Sequence, residues 1–328
     1  MAKTDDEQRG GTRRQFLAGA ALAAGAVTLA TAQPGAGQAA GEPAGTGSSG
    51  FWPGGAQLVI SISMQFEAGA QGANADGPFP PLDSKYTDSI TPTWFDYGMK
   101  EGVPRLLNLW DKHGVKVTSH MVGKAVELQP DLARDLVKRG HEAAAHGQTW
   151  TPQYSMTPDE ERRSYEENIA TVERITGVRP IGFNAFWMRQ TPKTLEILQD
   201  LGFLYHIDDL GRDEPSITEV RGRPFAVVPY TLRNNDIGRF SNTAMTGAAF
   251  AQELKDDFDI LYAEGAKRRR LMSISTHDRI GGQPAIVKAL DEFLSYAKLK
   301  PGVAFMRKDD IARWALQQTD TPRNAPRT

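Results

Sequence analysis

Four side chains in this sequence have the types and spacing for acid–base hydrolysis. Glu67 follows a β-branched apolar run, His146 follows the run 142–145, and His277 follows the run 271–276 directly ahead of Asp278. Asp208 closes a further apolar run, 204–208. A carboxylate can take a proton from water, and an imidazole can give one to a leaving atom near neutral pH. His277 is therefore read as the acid, with Asp208 tuning it, and Glu67 as the group that activates water. Gln65, Asn234 and Asn235 can orient an amide substrate by hydrogen bonds, and Trp150, Trp187 and Tyr230 offer binding surface beside them. Of the other histidines, His113 sits at a helix end before Gly114 and His141 before a buried strand, both structural positions. His120 and His206 fit either a structural or a site role.

These residues must be held by strand ends. Apolar or β-branched segments at 58–64, 115–121, 142–145, 181–184, 204–208, 225–230, 271–276 and 303–306 read as strands. Helical patterns intervene at 103–113, 130–139, 157–175, 192–201, 248–265, 284–299 and 308–318. Thr157-Pro158-Asp159-Glu160 has the order of a capping box, and Tyr165, Ile169, Val172 and Ile175 recur at helical spacing behind it. Alternating strands and helices without an internal repeat predict an α/β fold, a closed or nearly closed (β/α) barrel of seven to eight units. In such a barrel the functional side chains project from the C-terminal strand ends, where Gln65, Glu67, His120, His146 and His277 fall. The long segment 68–97, with Phe79, Tyr86, Trp94, Phe95 and Tyr97, is expected to wall the site.

The 328 residues carry a net charge of -2 and contain no cysteine. The first excludes the broad basic field that nucleic acid requires; the second excludes disulfides, thiolate nucleophiles and thiolate metal ligands. The basic run Arg268–Arg270 reads as a solvated helix end. At the amino terminus, Thr12-Arg13-Arg14-Gln15-Phe16-Leu17 has the form of a twin-arginine signal, and a short Ala/Leu/Gly core leads to Ala30-Thr31-Ala32. The organisation expected is a signal peptide at 1–32, a flexible linker at 33–50, the barrel at 51–320 and a tail at 321–328. The twin-arginine export machinery is then a partner, and the mature chain is periplasmic or extracellular.

Four stretches in order carry a family resemblance. They are Phe95-Asp96-Tyr97-Gly98; Arg139-Gly140-His141-Glu142 leading to His146-Gly147; Val228-Pro229-Tyr230-Thr231 with Asn234-Asn235-Asp236; and Met272-Ser273-Ile274-Ser275-Thr276-His277. Together they resemble the polysaccharide deacetylase (NodB-homology) family, carbohydrate esterase family 4, within it the branch of allantoinase and related cyclic-amide hydrolases. The resemblance covers about residues 55 to 316 and implies a deformed (β/α) barrel that hydrolyses non-peptide carbon–nitrogen bonds, often N-acetyl groups on amino sugars. It also implies a divalent metal such as zinc, bound beside an aspartate base by a second aspartate and two histidines. This sequence departs from that set: Gln65 stands at the base position, Glu67 at the metal carboxylate, His146 at the first histidine and Trp150 at the second. Glu67 and His146 are the metal ligands left, an incomplete set. Three functions follow as expectations: amide hydrolysis on a carbohydrate, ring opening of a cyclic amide, or saccharide binding without catalysis.

Overall fold

The computed structural model describes residues 50–71, 77–80, 82–83, 85–241 and 244–325. The expected signal peptide, nearly all of the linker and the last three residues of the tail lie outside the described residues. Within the unit Thr46–Thr328, a nine-stranded sheet curls around a buried interior. Its strands are β1 (Leu58–Phe66), β2 (Thr118–Met121), β3 (Glu142–Ala145), β4 (Gly182–Phe183), β5 (Tyr205–His206), β6 (Ser216–Val220), β7 (Arg223–Val227), β8 (Leu271–His277) and β9 (Val303–Phe305). The order is β6-β7-β5-β4-β3-β2-β1-β8, and β9 pairs with the N-terminal half of β1 below β2.

β1 is buried on both faces because it is the hub of this sheet. Leu58, Ile60, Ile62, Met64 and Phe66 pack outward among the helices, while Val59 joins Tyr205, Ile207, Ala226, Val228 and Leu271 in the interior. The alternate positions Ser61, Ser63 and Gln65 share that inward face, so the interior turns polar toward the strand ends. Register completes the layer: Gln65 lies opposite His277 on β8 and opposite His120 on β2.

The barrel expectation holds, with two corrections. β6 was not foreseen; it is antiparallel to β7, joined through Arg221 and Gly222, both with positive φ. Nor does a full ladder join β8 to the β7 side. The seam is carried by residues after β7: Asn235 forms a parallel bridge with Ser275, and Ser273 Oγ donates to Pro229 O at 2.6 Å. Leu271 N donates to Asp213 O at 2.7 Å on the same seam. The short strands β4 and β5 also end earlier than their apolar runs, because hydrogen-bonded pairing there covers only two residues each.

The helix Pro158–Thr176 starts as its sequence dictates. Thr157 Oγ1 accepts from Glu160 N, Glu160 answers on Thr157 N at 2.8 Å, and Gly177 ends it at φ 77. Arg269 and Arg270 are not a solvated helix end. Both are buried, Arg269 on Asp320 at 2.7 Å and over the Trp314 ring, Arg270 on Glu264 at 2.5 Å.

Candidate active site

The site is built where β1 and β8 end side by side. After β8 the chain turns at once into the short helix Asp278–Gly281. Asp278 Oδ2 accepts from Glu67 N and Ala68 N, each at 2.8 Å, so the exit of β1 is fastened to the exit of β8. The fastening needs bare backbone opposite it. A Cβ on Gly102 would lie 1.9 Å from Asp278 O, and one on Gly282 2.2 Å from Gly102 Cα. A larger residue at either position would force the two segments apart and shift Glu67 with them.

Glu67 is fully buried at the centre. Its Oε1 accepts from Arg279 Nη1 at 2.6 Å and lies 3.8 Å from His277 Nε2. Its Oε2 has no hydrogen-bond partner among the described residues and lies 4.0 Å from His146 Nε2. Burial on its own would raise the Glu67 pKa, but Arg279, His277 and His146 outweigh it and hold the carboxyl below its ordinary value. Arg279 is buried too, its guanidinium 4.9 Å from the Trp94 ring centroid and 5.3 Å from that of Phe95.

The two imidazoles are tuned in opposite directions. His146 Nδ1 donates to Asn184 O at 2.7 Å, leaving Nε2 free to accept, and burial pushes its pKa down. His277 Nδ1 bonds Asp236 Oδ1 at 2.6 Å, and Asp236 Oδ2 accepts from His277 N at the same distance. Burial opposes its charge, yet Asp236 and Glu67 raise its pKa above the ordinary value. One imidazole is thus biased toward its neutral form and the other toward its protonated form, within reach of one carboxylate. Opposed shifts of this kind separate a base role from an acid role.

Gln65, His146, Trp150, Trp187, Tyr230, Asn235 and His277 line a single cavity of about 860 Å³, with Arg279 and Trp94 on its wall. Gln65 Nε2 and Asn235 Nδ2 each lie 3.3 Å from Tyr230 Oη, which also bonds Ser275. Trp150 stands edge-on to His146, ring centroids 5.2 Å apart. Trp187 sits at the rim, 59% exposed and with φ 51, an unfavourable conformation for a tryptophan.

Three expectations change here. Asp208 is not the carboxylate on His277: Asn184 Nδ2 at 2.7 Å, Ala185 N at 3.0 Å and Gln190 Nε2 at 2.9 Å engage it, and Asp236 takes the place beside the imidazole. Asn234 faces away from the large cavity; its Nδ2 donates to Ser273 O at 3.4 Å along the seam. Arg279, two residues past His277, escaped the reading of the sequence altogether. The signal was present in His277-Asp278-Arg279, since a cation beside a candidate site carboxylate is the natural way to keep it charged. Elsewhere, His113 meets Asp291 at 2.6 Å and His141 accepts from Val117 N at 3.1 Å, both structural.

The donors present do not fit zinc. Two ligands of a tetrahedral zinc, each ~2.1 Å from the ion, would stand about 3.4 Å apart, closer than Glu67 Oε2 and His146 Nε2. Among the described residues no group of three His, Cys, Asp or Glu side chains is placed to hold a metal ion. The gap instead suits a water ~2.8 Å from each atom.

Fold and site together define a barrel with a carboxylate–imidazole pair at its strand ends. A family model described as polysaccharide deacetylase matches residues 86–206. A solved structure described as a probable polysaccharide deacetylase from Pseudomonas aeruginosa is 33% identical, covers 81% of this chain and 94% of its own, and superposes with a TM-score of 0.76. A structure of Puue allantoinase gives 33% identity, 82% and 94% coverage and a TM-score of 0.76. The peptidoglycan deacetylase of Helicobacter pylori is 27% identical over 135 residues, 41% of this chain and 46% of that one. The chain belongs to the polysaccharide deacetylase family, whose members are hydrolases of non-peptide carbon–nitrogen bonds.

Proposed function

We propose that this chain hydrolyses the amide of an N-acylated saccharide, using Glu67 as base and His277 as acid. The observation that carries the reading is the placement of Glu67 Oε2 and His146 Nε2 4.0 Å apart, with His277 Nε2 3.8 Å from Glu67 Oε1. A water held between Oε2 and the neutral His146 loses a proton to Glu67 as its oxygen bonds the amide carbon. His277 gives its Nε2 proton to the nitrogen as the carbon–nitrogen bond breaks, releasing an amine and a carboxylic acid. Proton return from Glu67 to His277, with Asp236 behind the imidazole, restores the starting state. Arg279, on the Oε1 side of the carboxylate, keeps Glu67 ionised. No step needs the metal.

Ring opening of a cyclic amide is the same bond chemistry, and the likeness to an allantoinase favours it as a second reading. Purified mature chain, with and without chelator, should be offered an N-acetylated amino-sugar oligomer and a cyclic ureide. Amine and acid released from the oligomer, undiminished by chelation, is the expected result. Ring opening with no reaction on the oligomer would transfer the function to the second reading. Inertness toward both, with the oligomer still bound, would make the chain a saccharide-binding protein.

We further propose export by the twin-arginine route with cleavage after Ala32, from Arg13-Arg14 and Ala30-Thr31-Ala32. Replacing both arginines by lysine should leave precursor in the cytoplasm; normal export of that variant would end the proposal.

A further inference from the structure

The walls of the large cavity differ sharply from its floor. The floor is polar: Gln65, His146, Asn235, His277 and Arg279. Beside His277, the chain closes the cavity with Ile237, Phe240, Ile280, Ile286 and Trp94, drawn from four separate helical segments. Ile280 and Ile286 are only 6% and 5% exposed and Trp94, Ile237 and Phe240 are half-buried, so this part of the lining is apolar and better covered than the rim. Phe240 is braced from behind by Phe250, ring centroids 5.3 Å apart. The rim is the reverse, since Trp187 and Leu232 are 59% and 58% exposed.

Depth sorts the two ends of a substrate. A glycan is large and hydrated, and belongs at the open rim, where an aromatic face can stack on a sugar ring. The apolar wall beside His277 is then left for the other end of the molecule, the acyl group on the carbonyl. The five apolar side chains offer more wall than an acetyl methyl can touch, and the whole cavity, about 860 Å³, lies near the top of the range for drug-sized ligands. Apolar walls also reward each methylene buried against them.

We propose that the slot bounded by Ile237, Phe240, Ile280, Ile286 and Trp94 binds an acyl chain longer than acetyl, so that the preferred substrate is a saccharide amide of a medium-chain acid. This rests on the reading of Glu67 and His277 as the hydrolytic pair. Each added methylene should raise kcat/KM by roughly three- to fourfold until the slot is full.

The test uses the mature chain on glucosamine carrying N-acetyl, N-butanoyl, N-hexanoyl and N-octanoyl groups. Hydrolysis rising at least tenfold from acetyl to hexanoyl is expected. The variants Leu232→Ser at the rim and Ile286→Trp in the slot separate the two regions. Ile286→Trp should abolish the chain-length preference, and Leu232→Ser should leave most of it. A flat series, or acetyl as the fastest substrate, overturns the slot while leaving the hydrolytic reading intact. If no member is hydrolysed, the hydrolytic reading fails, and calorimetric binding decides the slot. Hexanoyl binding tighter than acetyl, with a more negative heat-capacity change, sustains it, and equal affinity overturns it.

Discussion

Two buried ionic clusters share the interior of this barrel, and they have been treated oppositely. At the strand ends, Glu67, His277, Asp236 and Arg279 are paired so that the carboxylate of Glu67 is held low and the imidazole of His277 high. Deeper, around β2 and β3, Glu142 accepts from Thr118 Oγ1 at 2.6 Å, Tyr205 Oη at 2.7 Å and Asp309 N at 3.0 Å. Burial and the neighbouring Asp309 push the Glu142 carboxyl up to about 8. Lys308 beside it is fully buried, its Nζ without a hydrogen-bond partner among the described residues, and burial brings it down to about 7. Both clusters are buried and ionisable. The upper one borders the large cavity and carries a guanidinium that keeps its carboxylate charged; the lower one lines no part of that cavity, and burial moves it toward its neutral forms. Burial alone therefore does not mark a site, whereas burial with a paired charge and access does.

The comparison breaks most directly at His277. His277→Ala should lower kcat by ~10²–10⁴-fold, the worth of a positioned general acid, with the fold retained. Retention of full activity would remove the upper cluster from the chemistry. Glu67→Gln should cost a similar factor and destabilise the chain as well, by up to about 3–5 kcal/mol, because it leaves the buried Arg279 with only the longer 3.3 Å contact to Asp278. Denaturant unfolding measures that second effect, and an unchanged midpoint would mean that the guanidinium finds another partner.

Asp236 sharpens the comparison by pH. Since His277 must be protonated and its pKa is raised, kcat/KM should be lost as pH rises through that pKa. Asp236→Asn removes the main cause of the rise, so the alkaline limb should move to lower pH, with about tenfold lost at a fixed pH for each unit moved. Asp208→Asn should leave that limb in place. Movement of the limb in the Asp208 variant, and not in the Asp236 variant, would reinstate the assignment read from sequence.

Much of the frame was legible in the chain because it rests on local rules. The capping box at Thr157, the apolar run of β1 and the carboxylate and imidazoles at strand ends all follow from residue type and spacing. Most of what was missed depends on proximity that residue type and spacing do not show. Asp208 and Asp236 both follow β-rich stretches, and only the seam between β7 and β8, carried by Asn235 and Ser275, brings Asp236 rather than Asp208 to the imidazole. Arg279 escaped because only the turn at Asp278 brings it back onto Glu67. β6 escaped because Ser216–Val220 is short and polar at Ser216, Thr218 and Glu219, so it shows no apolar run. Arg269 read as solvent-facing because its acceptor, Asp320, lies 51 residues on, and Arg270 because the chain turns it back onto Glu264 at the end of the preceding helix.

The smallest expected effect lies in the lower cluster, and its sign is fixed by the direction of the shift. An unfolded lysine titrates near 10.4, whereas Lys308 in the folded chain titrates at about 7. Between those values the unfolded chain binds a proton that the folded chain does not, so Lys308 makes stability rise with pH across that window. Its burden is greatest below pH 7, where the folded chain must hold an ammonium with no hydrogen-bonding partner. Lys308→Met keeps the volume and removes the charge, so melting temperature should stay level or rise by a few degrees at pH 6–7, and its upward slope toward pH 10 should flatten. Activity should stay within about twofold, because Lys308 borders no part of the large cavity. A variant that melts lower at pH 6, or that loses the hydrolytic pH profile, would mean that the two clusters exchange protons after all. The contrast between a charged site above and a neutralised core below would then have to be redrawn as one connected network.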